Sequence, residues 1–96
     1  MSMPRQESMV GQTLENLYAS FGCREISNSD MYDSICASKA WQGNVIWRLL
    51  SYGLVSVRRG VVNERRFGDK RARTFFRLTG KGLRLGRAWQ KERDSA

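Results

Sequence analysis

Ninety-six residues make one small domain, short for an enzyme and sufficient for a binding module. The chain has 17 Lys and Arg against 9 Asp and Glu, a net charge of +8, and no histidine, which excludes imidazole bases, Ser-His-Asp and Cys-His pairs and zinc sites built on histidine. Two cysteines are too few for a disulfide scaffold or a four-thiolate metal site, no apolar run approaches the roughly 20 residues of a membrane span, and the first residues lack the basic-then-apolar order of a secretory leader, so a soluble cytoplasmic protein without cofactor or catalytic role is expected.

The first periodic stretch covers about 6–21. Val10, Leu14, Leu17 and Phe21 recur at i, i+4, i+7 and i+11, the pattern of an amphipathic helix with one buried stripe, and Gly22 stands where it would stop. Ile26 is expected alone in a short extended link. Ser27-Asn28-Ser29-Asp30 is a run of N-cap formers, with Ser27 and Asp30 spaced as in a capping box. The helix it opens would span about 29–37 and pair Met31 with Ile35 and Tyr32 with Cys36. A third helix is expected over 38–52, with Trp41, Val45, Ile46, Leu49 and Leu50 as its apolar side and Gly53 at its end. Two helices joined this tightly suit a helix-turn-helix.

After Gly53 the apolar period changes from 3.6 to 2. Val55 and Val57 alternate with Ser56 and Arg58, which predicts a half-buried strand; a second strand is expected over Arg73–Leu78. The stretch between them, with a turn at Gly68-Asp69, predicts a β-hairpin with a long basic tip. Thr79 can cap a last helix reaching about residue 92, with Leu85, Ala88 and Trp89 on one side. Gly80, Gly82 and Gly86 each weaken that helix by about 1 kcal/mol relative to Ala, so packing must hold it. One domain is expected over 1–96, its core over about 8–92.

Charge is divided by position. Residues 1–38 hold two basic and five acidic residues, net −3; residues 39–96 hold 15 basic and four acidic residues, net +11. Eleven of those 15 are Arg, whose fork suits phosphate and guanine, so the polyanion implied is nucleic acid rather than lipid.

Leu49-Leu50-Ser51-Tyr52-Gly53-Leu54-Val55 resembles the L-x-x-x-G-L-V end of a third helix entering a wing strand. Phe76-Arg77-Leu78-Thr79-Gly80-Lys81-Gly82-Leu83-Arg84-Leu85 resembles the Y-x-L-T-x-K-G-x-x-L segment that closes a wing. With about 23 residues of basic hairpin between them, the chain is similar over about 8–92 to small winged helix-turn-helix regulators of the MarR and PadR groups. The resemblance implies an α+β winged helix-turn-helix: three helices, a two-stranded β-hairpin wing and a C-terminal helix. It implies a sequence-specific double-stranded DNA-binding transcriptional regulator, and a repressor, since nothing attached would recruit polymerase. It also implies a homodimer, for which Val10, Leu14, Tyr18, Leu85 and Trp89 are available to both core and interface. MarR-like proteins are longer and carry extra dimer-forming helices, and no ligand-binding domain is evident here, so no small-molecule ligand is expected.

In such a fold the third helix reads the major groove and the wing touches minor groove or backbone. With Val45, Ile46 and Leu49 inward, the outward positions are Lys39, Gln42, Gly43 and Asn44, then Trp47 and Arg48. Gln42 and Asn44 suit adenine edges, Arg48 guanine, Lys39 and Arg48 phosphate, and Gly43 permits close approach. Trp41 is expected in the core. Trp47 is pushed outward, to pack on the wing, stack on a sugar or bury against a partner chain. The wing would contact DNA through Arg58, Arg59, Arg65, Arg66, Lys70, Arg71 and Arg73; Arg77, Lys81, Arg84 and Arg87 extend the positive surface. Cys23 and Cys36 are expected as small core thiols, with a redox pair as the alternative. The competing functions are an architectural, recombination or partition DNA-binding factor of a mobile element, and a winged-helix module for protein or RNA contacts.

Overall fold

In the computed structural model the described residues are 3–64 and 69–95, with backbone alone for 61–64 and 69–72. The fold is α+β. Helix α1 is Met9–Phe21, strand β1 Ile26–Ser27, helix α2 Asn28–Ser34, helix α3 Lys39–Ser51, strand β2 Val55–Glu64, strand β3 Asp69–Leu78 and helix α4 Gly80–Ser95. The strands form one antiparallel sheet in the order β1-β3-β2.

Helix α1 starts later than its apolar period suggests, because residues 5–8 form a turn of their own. The Ser8 N–H and hydroxyl both donate to the Arg5 carbonyl, at 3.1 and 2.6 Å, and the Ser8 Oγ accepts the Gly11 N–H at 3.1 Å as the N-cap. Gly22, at φ 58°, ends the helix, and its N–H donates to the Tyr18 carbonyl. The buried Thr13 is fully hydrogen-bonded. Its hydroxyl donates to the Met9 carbonyl at 2.8 Å and accepts the Cys36 N–H at 3.1 Å, tying α1 to the α2–α3 link.

Ser27 caps α2 as its sequence suggests, accepting the Asp30 N–H at 3.1 Å. The helix ends at Ser34, short of 37. Ile35 adopts an extended backbone, φ −76° and ψ 124°, and its side chain is buried. Helix α3 closes in a Schellman arrangement around Gly53 at φ 71°: the Leu54 N–H reaches the Leu49 carbonyl and the Gly53 N–H the Leu50 carbonyl, both at 3.0 Å. This turn delivers Leu54 and Val55 straight into the core.

Two expectations about the sheet are corrected. Ile26 is not an isolated link: Ile26↔Phe76 and Ser27↔Phe75 pair antiparallel, so the sheet has three strands rather than a two-stranded hairpin alone. A two-residue strand has no period to read, and burial of Ile26 against Phe76 holds it. Val57 shares a sheet face with buried Val55, yet it is 50% exposed.

The core is continuous. Leu14 and Leu17 of α1, Ile26, Met31 of α2, Val45 and Leu49 of α3, Leu54, Phe76 and Leu78 form one buried cluster. Helix α4 closes it along a stripe of Gly82, Gly86 and Trp89 at i, i+4 and i+7. That replaces the expected Leu85–Ala88–Trp89 side: Ala88 is exposed and Leu85 half-buried. The two glycines let the helix approach closely. A Cβ on Gly82 would collide with the Leu54 carbonyl, and one on Gly86 would lie 2.8 Å from the Tyr18 ring. Thr79 caps α4, accepting the Gly82 N–H at 3.1 Å, while its own N–H bonds the Leu54 carbonyl at 3.0 Å.

Candidate nucleic-acid interface

Helix α3 turns Val45, Ile46 and Leu49 inward, as its spacing requires. Lys39, Gly43, Asn44, Trp47 and Arg48 are exposed, and nothing lies within 4 Å of where a Gly43 side chain would begin. Gln42 departs from this set. It precedes Ile46 by one turn and Val45 by three residues, which rotates it toward the core, and it is half-buried. Trp41 departs the other way, 54% exposed rather than in the core. With Trp47 at 66%, the helix offers two indoles to its surroundings.

The hairpin's root is more tightly built than its sequence suggests. Alternation along β2 puts Arg59 on the face of Val55 and Val57, and Arg58 on the opposite face with Phe75, Arg73 and Arg77. Arg58 is engaged within the chain. Its guanidinium grips Glu25, with Nε–Oε2 at 3.0 Å and Nη2 at 2.8 Å from both oxygens, and lies 5.0 Å from the Phe75 ring centroid. Gly60 leaves room for this stack, since a Cβ there would come within 3.1 Å of Arg58 Nη1 and 3.2 Å of the Phe75 ring. Of the other hairpin candidates, Arg73 is exposed beside this stack. Arg65 and Arg66 lie outside the described residues, as do the side chains of Lys70 and Arg71.

Other cations serve the fold. Lys81 Nζ donates to the Tyr52 carbonyl at 2.8 Å, satisfying the C-terminal end of α3. Arg24 does the same for α1, with Nη2 2.6 Å from the Ser20 carbonyl. Arg93 Nε pairs with Glu15 Oε2 at 3.0 Å across α1 and α4. Among the described residues, Lys39 and Arg48 on α3, Arg59 on β2, Arg77, and Arg84, Arg87 and Lys91 on α4 have no side-chain hydrogen bond or ion pair.

Beside α3 lies a groove of about 410 Å³, a feature with no sequence signal. One wall is residues 3–5 with Ser8, Met9 and Val10; the other is Trp41, Asn44, Val45, Arg48 and Tyr52. The exposed Met3, Met9 and Trp41 all line it.

Cys23 is exposed and Cys36 half-buried, so neither is the small core thiol expected. Cys36 Sγ instead lies 2.9 Å from Asn16 Nδ2, which donates to it. Val10, Leu14 and Trp89, expected to serve both core and dimer contact, are buried within the chain's own core; Tyr18 and Leu85 are half-buried. Among the described residues no group of three or more His, Cys, Asp or Glu could hold a metal ion, and no helix is long and apolar enough to cross a membrane.

No family model matches the chain, and no curated protein matches its sequence.

Proposed function

We propose that this chain is a winged-helix protein that binds double-stranded DNA in a sequence-specific way and regulates transcription by occupying its site. Helix α3 would enter the major groove and the β2–β3 hairpin would follow the adjacent backbone or minor groove. One observation carries the reading. The hairpin runs on past the last described pair with a buried member, Val57↔Phe76, to Glu64↔Asp69. A two-stranded ribbon is only marginally stable by itself, and this extension coincides with the most Arg-rich stretch of the chain. A basic projection beside an exposed helix is what a duplex needs from such a protein.

Each exposed α3 residue has a fitting part. Asn44 suits an adenine edge and Arg48 a guanine edge or phosphate. Lys39 suits phosphate, and Gly43 permits close backbone approach. Trp47 offers apolar surface to a thymine methyl. Arg58 acts at one remove, fixing the angle of the hairpin through Glu25. A symmetric pair of chains would read a palindromic site, through a surface other than the buried Val10, Leu14 and Trp89.

Selection of bound fragments from random duplex DNA at two salt concentrations tests this. A sequence motif that survives the higher salt is expected. Retention without a motif, collapsing as salt rises, would replace sequence-specific regulation with architectural binding. Failure to retain duplex at either salt would remove DNA binding altogether.

A further inference from the structure

We propose that the groove between residues 3–9 and α3 is a binding site for a free mononucleotide. Its volume, about 410 Å³, falls within the roughly 300–1,000 Å³ of small-molecule sites. Its lining supplies each part such a ligand needs. Trp41, 54% exposed, offers an indole face for a base to stack on, with Met3 and Met9 as apolar flanks. Asn44 offers an amide, donor and acceptor together, for the edge of the base. Arg5 and Arg48 are the only charged residues among those described in the lining, both cationic and neither with a side-chain partner among the described residues. No carboxylate opposes them, so the groove's charge selects an anion, and two guanidinium groups suit a phosphate. The same charge disfavours a second copy of this +8 chain as the occupant.

The wall that carries Arg5 is built rather than draped. Ser8 bonds the Arg5 carbonyl twice, and Gln12 Nε2 donates to the Glu7 carbonyl at 3.1 Å. Gly11 completes the seat. A Cβ there would collide with the Arg5 carbonyl and lie 2.6 Å from the Gln6 carbonyl oxygen, so only glycine lets the turn close onto α1. A turn held this closely fixes where Arg5 stands relative to Trp41. The groove shares Asn44 and Arg48 with the face of α3 proposed to meet DNA, and its test, which uses no duplex, can fail independently of that reading.

Isothermal titration calorimetry with AMP, adenosine, ribose 5-phosphate and a 5′-phosphorylated tetranucleotide tests the proposal. AMP is expected to bind at least about fivefold more tightly than either adenosine or ribose 5-phosphate. Trp41→Ala is expected to weaken AMP at least about fivefold, the low end of one base–aromatic stack. Arg5→Ala is expected to bring AMP down to the level of adenosine, and Gly11→Ala to weaken AMP by displacing the wall. Circular dichroism confirms that each variant is folded. The proposal is overturned by the absence of binding at millimolar AMP, by adenosine or ribose 5-phosphate matching AMP, or by a folded Trp41→Ala that binds AMP unchanged. A tetranucleotide binding more than about tenfold tighter than AMP would also overturn it, assigning the groove to a strand.

Discussion

Helices α3 and α4 draw on similar residues and put them to opposite use. Both are basic, and both carry tryptophan and glycine. In α4 the tryptophan is buried, Trp89 at 9% exposure, and Gly82 and Gly86 are pressed against Leu54 and Tyr18. In α3 the tryptophans face out, Trp41 and Trp47 at more than half exposure, and Gly43 meets nothing. One helix is shaped by the core it closes. The other keeps a narrow inward stripe of Val45, Ile46 and Leu49 and leaves the rest of its surface to something outside the chain. The meaning of a residue type here comes from its orientation rather than its identity.

The largest effect that sharpens this contrast is on stability. Trp89→Ala removes a buried indole and should cost about 3–5 kcal/mol in urea denaturation. Trp41→Ala or Trp47→Ala should move the same measurement by no more than about 0.5 kcal/mol, because little is buried to lose. A Trp47→Ala cost matching that of Trp89→Ala would erase the distinction between the two helices.

Glycine gives a sharper version, because the sign should reverse. Gly86→Ala pushes a methyl group into the Tyr18 ring and should destabilise by about 1–3 kcal/mol, despite the better helix propensity of Ala. Gly43→Ala meets open space and should stabilise by up to about 1 kcal/mol. If Gly43 serves close approach to a duplex, its methyl should weaken DNA binding in the same protein that it stabilises. Thermal melting and anisotropy on one preparation would measure both.

The smallest effect concerns the hairpin root. Arg58 and Glu25 form a partly exposed pair, so Arg58→Ala should cost no more than about 1 kcal/mol of stability. Its effect on duplex affinity should exceed that, because the hairpin would lose its fixed angle. Rescue by Arg58→Lys should be incomplete, since Lys cannot grip both carboxylate oxygens while lying on Phe75.

Much of the architecture was legible in the residues. Apolar spacing placed the four helices, and Gly22 and Gly53 sit at the positive φ their positions suggested. Ser8, Ser27 and Thr79 cap helices; Ser27 and Thr79 could be read as such, while Ser8 lay within a period that suggested helix had already begun. What stayed hidden has a common cause. β1 is too short to show a period and exists because Ile26 meets Phe76, fifty residues away. Tryptophan is usually buried, which points Trp41 inward, but the inward arc of α3 is filled by smaller aliphatic residues. Gly82 and Gly86 looked like defects in a helix and are its contact surface, which shows only once Leu54 and Tyr18 are beside them. The groove and the Arg58–Glu25 clasp likewise join segments far apart in the chain. Periodicity alone puts Lys39, Gly43, Asn44, Trp47 and Arg48 on the exposed side of α3. Gln42 is half-buried through its rotation toward the core, and Arg58 is held by Glu25, the residue before β1.

The central claim is that α3, rather than positive charge in general, meets DNA, and a charge-matched pair of variants tests it most directly. Lys39→Ala with Arg48→Ala removes two exposed cations from α3. Arg87→Ala with Lys91→Ala removes two exposed cations from α4. Fluorescence anisotropy with a labelled duplex across a salt series compares them at equal net charge. The α3 pair should lose affinity and flatten the log–log salt slope by about 0.9 for each phosphate contact removed, while the α4 pair leaves the slope near that of the parent. Equal losses from both pairs would mean that the chain attracts DNA by net charge alone and would contradict the account.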